Sequence, residues 1–125
     1  MRLAGRWRIV EMELWAQEDV DLVGPAFIDL GRDGMGSFAF IAVEGQLDCR
    51  DAPRGQRPGV EFSWEGRDDC DSASGRGWAV LADDGSLDGR IYFHLGDDSG
   101  FRAERAASKA RTGAQANAGN PPEPR

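Results

Sequence analysis

His94 is the only histidine in this chain of 125 residues, so proton transfer near neutral pH by a side chain of ordinary pKa has to use it. On a strand it shares a face with Arg90 and Tyr92, opposite Ile91, Phe93 and Leu95. The apolar face is the natural core, which places His94 outside. In the alternative, Arg90, Tyr92 and His94 line a polar cavity, and an enzyme built on His94 would need that arrangement. No serine stands in a nucleophile elbow. Gly31, Gly34 and Gly36 do not make a dinucleotide fingerprint, and no phosphate-binding G-x-x-x-x-G-K-[ST] occurs.

Two acidic stretches, Asp68-Asp69-Cys70-Asp71 and Asp97-Asp98, are the places where a cation could sit. Against a calcium loop, Asp69 and Asp71 match the first and third ligands. Ala73 and Ser74 break the fifth ligand and the glycine position, and no glutamate follows at the twelfth. They read as solvated turns, so no metal and no cofactor is expected. Cys49 and Cys70 lack any C-x-x-C or Cys/His spacing. They read as two reduced thiols, Cys49 partly buried on a strand and Cys70 in a loop.

These residues lie on short apolar runs punctuated by Gly, Asp and Pro, which is the pattern of strands and turns. The reading gives strands at Arg6–Leu14, Ala26–Leu30, Ser37–Val43, Gln46–Arg50, Val60–Glu65, Arg76–Leu81, Leu87–Leu95 and Gly100–Arg105. The links Arg32-Asp33-Gly34, Glu44-Gly45, Asp83-Asp84-Gly85 and Gly96-Asp97-Asp98-Ser99 read as tight turns. Links so short cannot make the crossover that parallel neighbours need. The fold class that follows is all-β, an eight-stranded antiparallel up-and-down meander closing into a small barrel over residues 1–106. Residues 16–23 hold a short helical turn, and residues 52–58 form an exposed loop. Residues 107–125 have too little apolar content to order and are expected to be a disordered tail.

The first strand contains a conflict. If Trp7 points inward on a regular strand, Glu11 and Glu13 do too; if Val10, Met12 and Leu14 face the core, Trp7 faces out. Two buried, unpaired carboxylates would cost several kcal/mol. A bulge near Ile9, putting Trp7 and Val10 on one side, is therefore expected. Strand three is apolar on both faces, with Phe38, Phe40 and Ala42 against Ala39, Ile41 and Val43. Its outer side is expected to be covered, either by residues 16–23 or by a second subunit.

Gly5-Arg6-Trp7 at the start of strand one resembles the G-x-W entry of the calycin barrels, the lipocalins, avidins and fatty-acid-binding proteins. The resemblance implies that Trp7 packs at the barrel base beneath an arginine of the last strand, with Arg105 first choice and Arg102 second. The T-D-Y signature, the secretory signal and the usual disulfide of lipocalins are absent from this sequence. Ser74-Gly75-Arg76-Gly77-Trp78 and Gly96-Asp97-Asp98-Ser99 also resemble stretches of small bacterial proteins of unassigned function.

The formal charge is −7, and residues 107–125 carry +2, so the body carries −9. A body this acidic repels phosphate backbones and anionic lipid surfaces, so neither nucleic acid nor membrane is an expected partner. With no apolar leader and no run long enough to span a bilayer, a cytoplasmic protein is expected. The function expected first is a non-enzymatic binding module that takes a small apolar molecule at the barrel mouth or interior. Trp64, Trp78, Arg90, Tyr92 and His94 are the candidate contacts. A protein-interaction domain or homodimer using acidic loops and a sheet face comes second, and an enzyme using His94 third.

Overall fold

A computed structural model describes residues 2–106. The expected tail, residues 107–125, lies outside the described residues. The strands are β1 (Gly5–Met12), β2 (Phe27–Leu30), β3 (Met35–Phe40), β4 (Val43–Asp51), β5 (Gly59–Asp68), β6 (Asp71–Leu81), β7 (Leu87–Phe93) and β8 (Asp98–Arg105). One helical turn, α1 (Gln17–Val20), interrupts the link from β1 to β2. Each strand pairs antiparallel with its sequence neighbour, and β8 returns to pair with β1. This closed, all-antiparallel eight-stranded barrel follows from the period-two pattern and the short links. On β5, for example, Val60, Phe62 and Trp64 are buried while Glu61, Ser63 and Glu65 are exposed.

The β1–β8 register explains how the first strand keeps its carboxylates in water. Ile9 pairs with Ala103 and Glu11 with Arg102, so Val10 is an extra residue and the inside–outside alternation reverses there. Trp7, Ile9 and Met12 enter the core, and Glu11 and Glu13 stay exposed. The bulge therefore falls one residue later than expected. Val10 is only half-buried, and Leu14, beyond the end of the strand, is 48 % exposed.

The two ends of the barrel are built differently. At one end lie the start of β1, the end of β8 and the β2–β3, β4–β5 and β6–β7 hairpins, whose turns use Gly34, Gly55 and Gly85 at positive φ. Leu3 and Trp7 close this end. The Trp7 indole N–H donates to the Leu3 carbonyl at 2.9 Å, and the Arg105 guanidinium lies 4.2 Å from the Trp7 ring. Arg105 also donates to the Ala4 and Arg2 carbonyls at 2.6 and 2.8 Å. Arg102 instead pairs with Glu104 and Asp84 on the outer surface.

The other end, the mouth, carries α1 and the β3–β4, β5–β6 and β7–β8 hairpins, and its positive-φ residues are Ile41, Asp69 and Leu95. Side chains pay about 1–2 kcal/mol for that conformation where glycine pays none. This corrects two expectations. The β3–β4 turn is Ile41-Ala42, and Gly45 lies within β4 rather than in a turn. β7 ends at Phe93, so His94 and Leu95 are turn residues, and Leu95 is 95 % exposed instead of facing the core. Of the residue 16–23 segment, Val23 borders a groove beside Ala39 on the outer side of β3 while the helical turn crosses the barrel end. Val20 is fully buried in the core cluster, and its carbonyl accepts the Ile41 N–H at 2.7 Å across the barrel end.

Aromatic rings fill the interior. Phe38 and Trp64 meet at 5.0 Å between centroids, Phe38 and Phe40 at 5.4 Å, and Trp64 and Phe93 at 5.3 Å. Several of the core rings have glycine as a cross-strand neighbour, Phe38 pairing with Gly45, Phe62 with Gly77 and Phe101 with Gly89. A Cβ on Gly45 would lie 2.8 Å from Phe38 Cζ and 2.9 Å from Trp64 Cε3, and Gly77 and Gly89 press likewise on Phe62 and Phe101. Gly45→Ala is therefore expected to lower stability by about 1–3 kcal/mol through overpacking, read as a lower urea midpoint. Gly24→Ala, with nothing within 4 Å of the new methyl, is expected to hold the midpoint or raise it. Equal midpoints for the two variants would refute the packing argument.

Candidate functional site

The five sequence-predicted contacts do not share one cavity. Trp64 points inward and is buried, while Trp78, Arg90 and Tyr92 lie on the outer face of β6 and β7. The Trp64 indole N–H reaches through the side-chain-free position at Gly75 to donate to the Tyr92 carbonyl at 3.2 Å. Trp64, Tyr92 and His94 do border one outer cleft of about 620 Å³, which Arg76 and Ser74 also line. Trp78 shares a different cleft with Tyr92 and is covered by Arg54, whose guanidinium lies 3.9 Å from the indole. Arg90 is held between Asp98 and Glu13, whose carboxylate oxygen accepts at 2.8 Å. Those hydrogen bonds raise the Arg90 pKa, Asp98 contributing most.

His94 is exposed at the rim of the mouth, where its backbone N–H donates to the Ser74 carbonyl at 2.8 Å. Among the described residues its imidazole has no hydrogen bond or ion pair with another side chain. Cys49 is half-buried on β4, and burial, followed by the Asp48 charge, pushes its thiol up to about 11. It is a poor nucleophile there. Cys70 stands exposed in the β5–β6 turn.

A second cleft, of about 500 Å³, occupies the mouth itself, bordered by Trp15, Phe40, Ile41 and Phe93. Its aromatic floor continues into the core: Trp15 meets Phe40 at 5.8 Å, and Phe40 meets Phe93 edge-on at 6.2 Å. Phe40 is buried, whereas Trp15 and Phe93 are half-exposed. Asp68, Asp71 and Asp97 stand on the rim with His94. Trp15 escaped the sequence reading as a contact, and the three aspartates, considered there only as calcium ligands and read as solvated turns, were not named as ligand contacts. The signal available was Asp68 and Asp71 flanking a two-residue turn.

The segment from β1 to β2 that carries Trp15 is held by Asp21. Its carboxylate accepts from Arg8 at 2.7 and 2.9 Å, from the Gln17 amide at 3.1 Å and from the Ala26 N–H at 2.9 Å. Arg8 also donates to the Ile9 carbonyl, so the clamp ties α1 to β1.

No protein-family model, curated protein or solved structure matches this chain. No helix among the described residues is long and apolar enough to cross a membrane, and no cluster of three metal-ligating side chains occurs among them.

The Arg8 hydrogen bonds, assisted by Ala26 and Gln17, hold the Asp21 carboxyl at about 2 against the opposing effect of desolvation, from an ordinary value of 3.8. A depressed folded-state pKa gives stability that is complete above the unfolded value and is lost as pH falls through the folded one. Asp21→Asn is thus expected to reduce stability at neutral pH and to flatten the loss between about pH 4 and 2. Glu13 and Asp84 are shifted the same way, so part of the acid sensitivity remains. Urea midpoints measured across that range test it; an unchanged profile would refute the clamp.

Proposed function

We propose that this protein is a non-enzymatic binding module, calycin-like in build, that takes a small molecule with an apolar, ring-sized body at the mouth of the barrel. One observation carries the reading. Trp15 and Phe93 stay half-exposed above an interior already filled by Phe38, Phe40 and Trp64. Rings left open to water at the end of a continuous aromatic stack are a surface on which another ring gains by packing. The cleft volume is in the range that small ligands occupy. Ile41 and Leu95, held at positive φ on the hairpins of this end, add backbone strain of the kind that collects at binding sites. With the interior packed, the mouth is the part of the first expectation that remains attractive. Among the described residues the His94 imidazole has no side-chain hydrogen-bond partner of the kind acid–base catalysis uses, so the enzyme reading has less support. Unpaired Cys49 and Cys70 fit a reducing, cytoplasmic setting.

Native mass spectrometry of the protein from its own cells, followed by a thermal-shift screen of metabolites, tests this. A retained or stabilising ligand is expected, and Trp15→Ala is expected to weaken it about tenfold, the equivalent of roughly 50 Å² of apolar contact. Absence of any ligand in both experiments, or full affinity in the variant, would sink the reading.

A second reading, a homodimer, has an observation of its own. Leu22 and Val23 are 67 % and 77 % exposed, and Val23 borders a groove with Phe27 and Ala39 on the outer face of β2 and β3. Because the barrel is closed, such a dimer would form through side chains and not through strand pairing. Light scattering at rising concentration is expected to give a dimer that Val23→Asp converts to monomer; a wild-type monomer throughout would remove this reading.

A further inference from the structure

We infer that the mouth selects for positive charge, so that its ligand is an organic cation, an ammonium or alkylated amine carried on a small apolar body. The inference rests on the mouth being a binding site and adds the chemical class of what it binds. Three features of the cleft converge on it.

The first is the aromatic lining. Trp15, Phe40 and Phe93 all line the one cleft, with centroid separations of 5.8 and 6.2 Å along the series, Trp15 and Phe93 being half-exposed. Ring faces attract cations through their quadrupole, and paired or triple rings are the usual surface for alkylated ammonium groups.

The second is the charge on the rim. Asp68, Asp71 and Asp97 border the cleft, and neither arginine nor lysine lines it. Among the described residues none of these carboxylates joins an ion pair. The other clefts with aromatic lining differ. Arg76 enters the one beside Trp64, Arg50 and Arg76 the one beside Trp78, and Arg6 and Arg67 the one beside Phe27. A fatty acid or phosphate ester would meet repulsion at the mouth and attraction elsewhere on the surface.

The third is an unfavourable pairing. Asp68 and Asp71 are cross-strand partners in the β5–β6 register, immediately beside the Asp69-Cys70 turn. Like charges directly opposite on a hairpin destabilise it. A cation resting on the rings between this pair and Asp97 would relieve the repulsion.

The test compares three probes with a common phenyl body and trimethyl-substituted head by NMR titration of the full chain: phenyltrimethylammonium, its neutral isostere tert-butylbenzene, and 4-tert-butylbenzoate, which adds an anionic carboxylate. Binding is read at the Trp15 indole and the Phe93 ring. The cation is expected to bind about tenfold more tightly than the neutral isostere, and the anion most weakly. Salt at ~1 M, where the screening length is about 3 Å, is expected to shrink the preference toward its cation–π part. Asp71→Asn combined with Asp97→Asn is expected to reduce the preference while leaving tert-butylbenzene affinity unchanged and the urea midpoint equal or higher. A merely structural role for the two carboxylates would lower the midpoint and weaken all probes alike. Equal or tighter binding of the neutral isostere would overturn the charge selectivity and leave the mouth site standing. No binding of any probe would overturn both.

Discussion

The fit of aromatic rings against glycine backbone inside the barrel is the constraint on which the remaining features depend. Eight strands enclose a space that can hold rings from one side or Cβ atoms from the other, but not both. Phe38 and Trp64 occupy it over Gly45, Phe62 over Gly77 and Phe101 over Gly89. The missing side chain at Gly75 lets the Trp64 N–H reach a backbone acceptor, so this buried indole leaves no unsatisfied donor. A core packed this way supplies stability, and the clefts at the mouth and on the outer face lie beyond it.

The two ends then divide the work. At the closed end Leu3 seals the core, Arg105 lies over Trp7 while holding two carbonyls of the N-terminal turn, and all three hairpins use glycine where positive φ is required. At the mouth the corresponding positions are Ile41, Asp69 and Leu95. A β-branched isoleucine in that region is an outlier, and its N–H is held by the Val20 carbonyl of the segment crossing the barrel end. Positive-φ side chains and half-exposed rings occur together at the mouth, where the Asp21 clamp holds the crossing segment. The closed end has glycine at the corresponding turn positions.

That same asymmetry decides what the sequence made legible. Strand number, order and antiparallel closure follow from period-two runs such as Val60-Glu61-Phe62-Ser63-Trp64 and from links too short for a crossover. The closed-end turns were legible because Gly34 and Gly85 mark them. At the mouth the acidic Asp68–Asp71 stretch was legible as a turn, but a glycine search has no reason to stop at Ile41 or Leu95, and Gly45, taken for a turn residue, is small because a ring faces it. One residue type serves two physical purposes, and only the register separates them. The bulge was deducible from the cost of burying Glu11 and Glu13, but its position was not, since Ile9 and Val10 are equally apolar. Trp15 was hidden for a related reason. It lies outside any strand, where periodicity assigns no face, and its packing on Phe40 exists only once the barrel closes.

Most arginines of this acidic body are committed to a partner, near the mouth as well as elsewhere. Arg6, Arg8, Arg57, Arg67, Arg90 and Arg102 are engaged with carboxylates, those of Arg8, Arg67 and Arg90 near the mouth, and Arg54, Arg76 and Arg105 lie over Trp78, Tyr92 and Trp7. Each pairing sets a positive charge beside a negative one or over a ring, and at these exposed sites the gain in stability is small. The effect on potential is larger, because paired charges cancel within a Debye length and unpaired ones do not. Asp68, Asp71 and Asp97 are unpaired, stand within one cleft and have aromatic, low-dielectric walls beneath them, which focus field lines outward. The electrostatic signature of the molecule is thus set less by its net charge than by where its arginines are already committed.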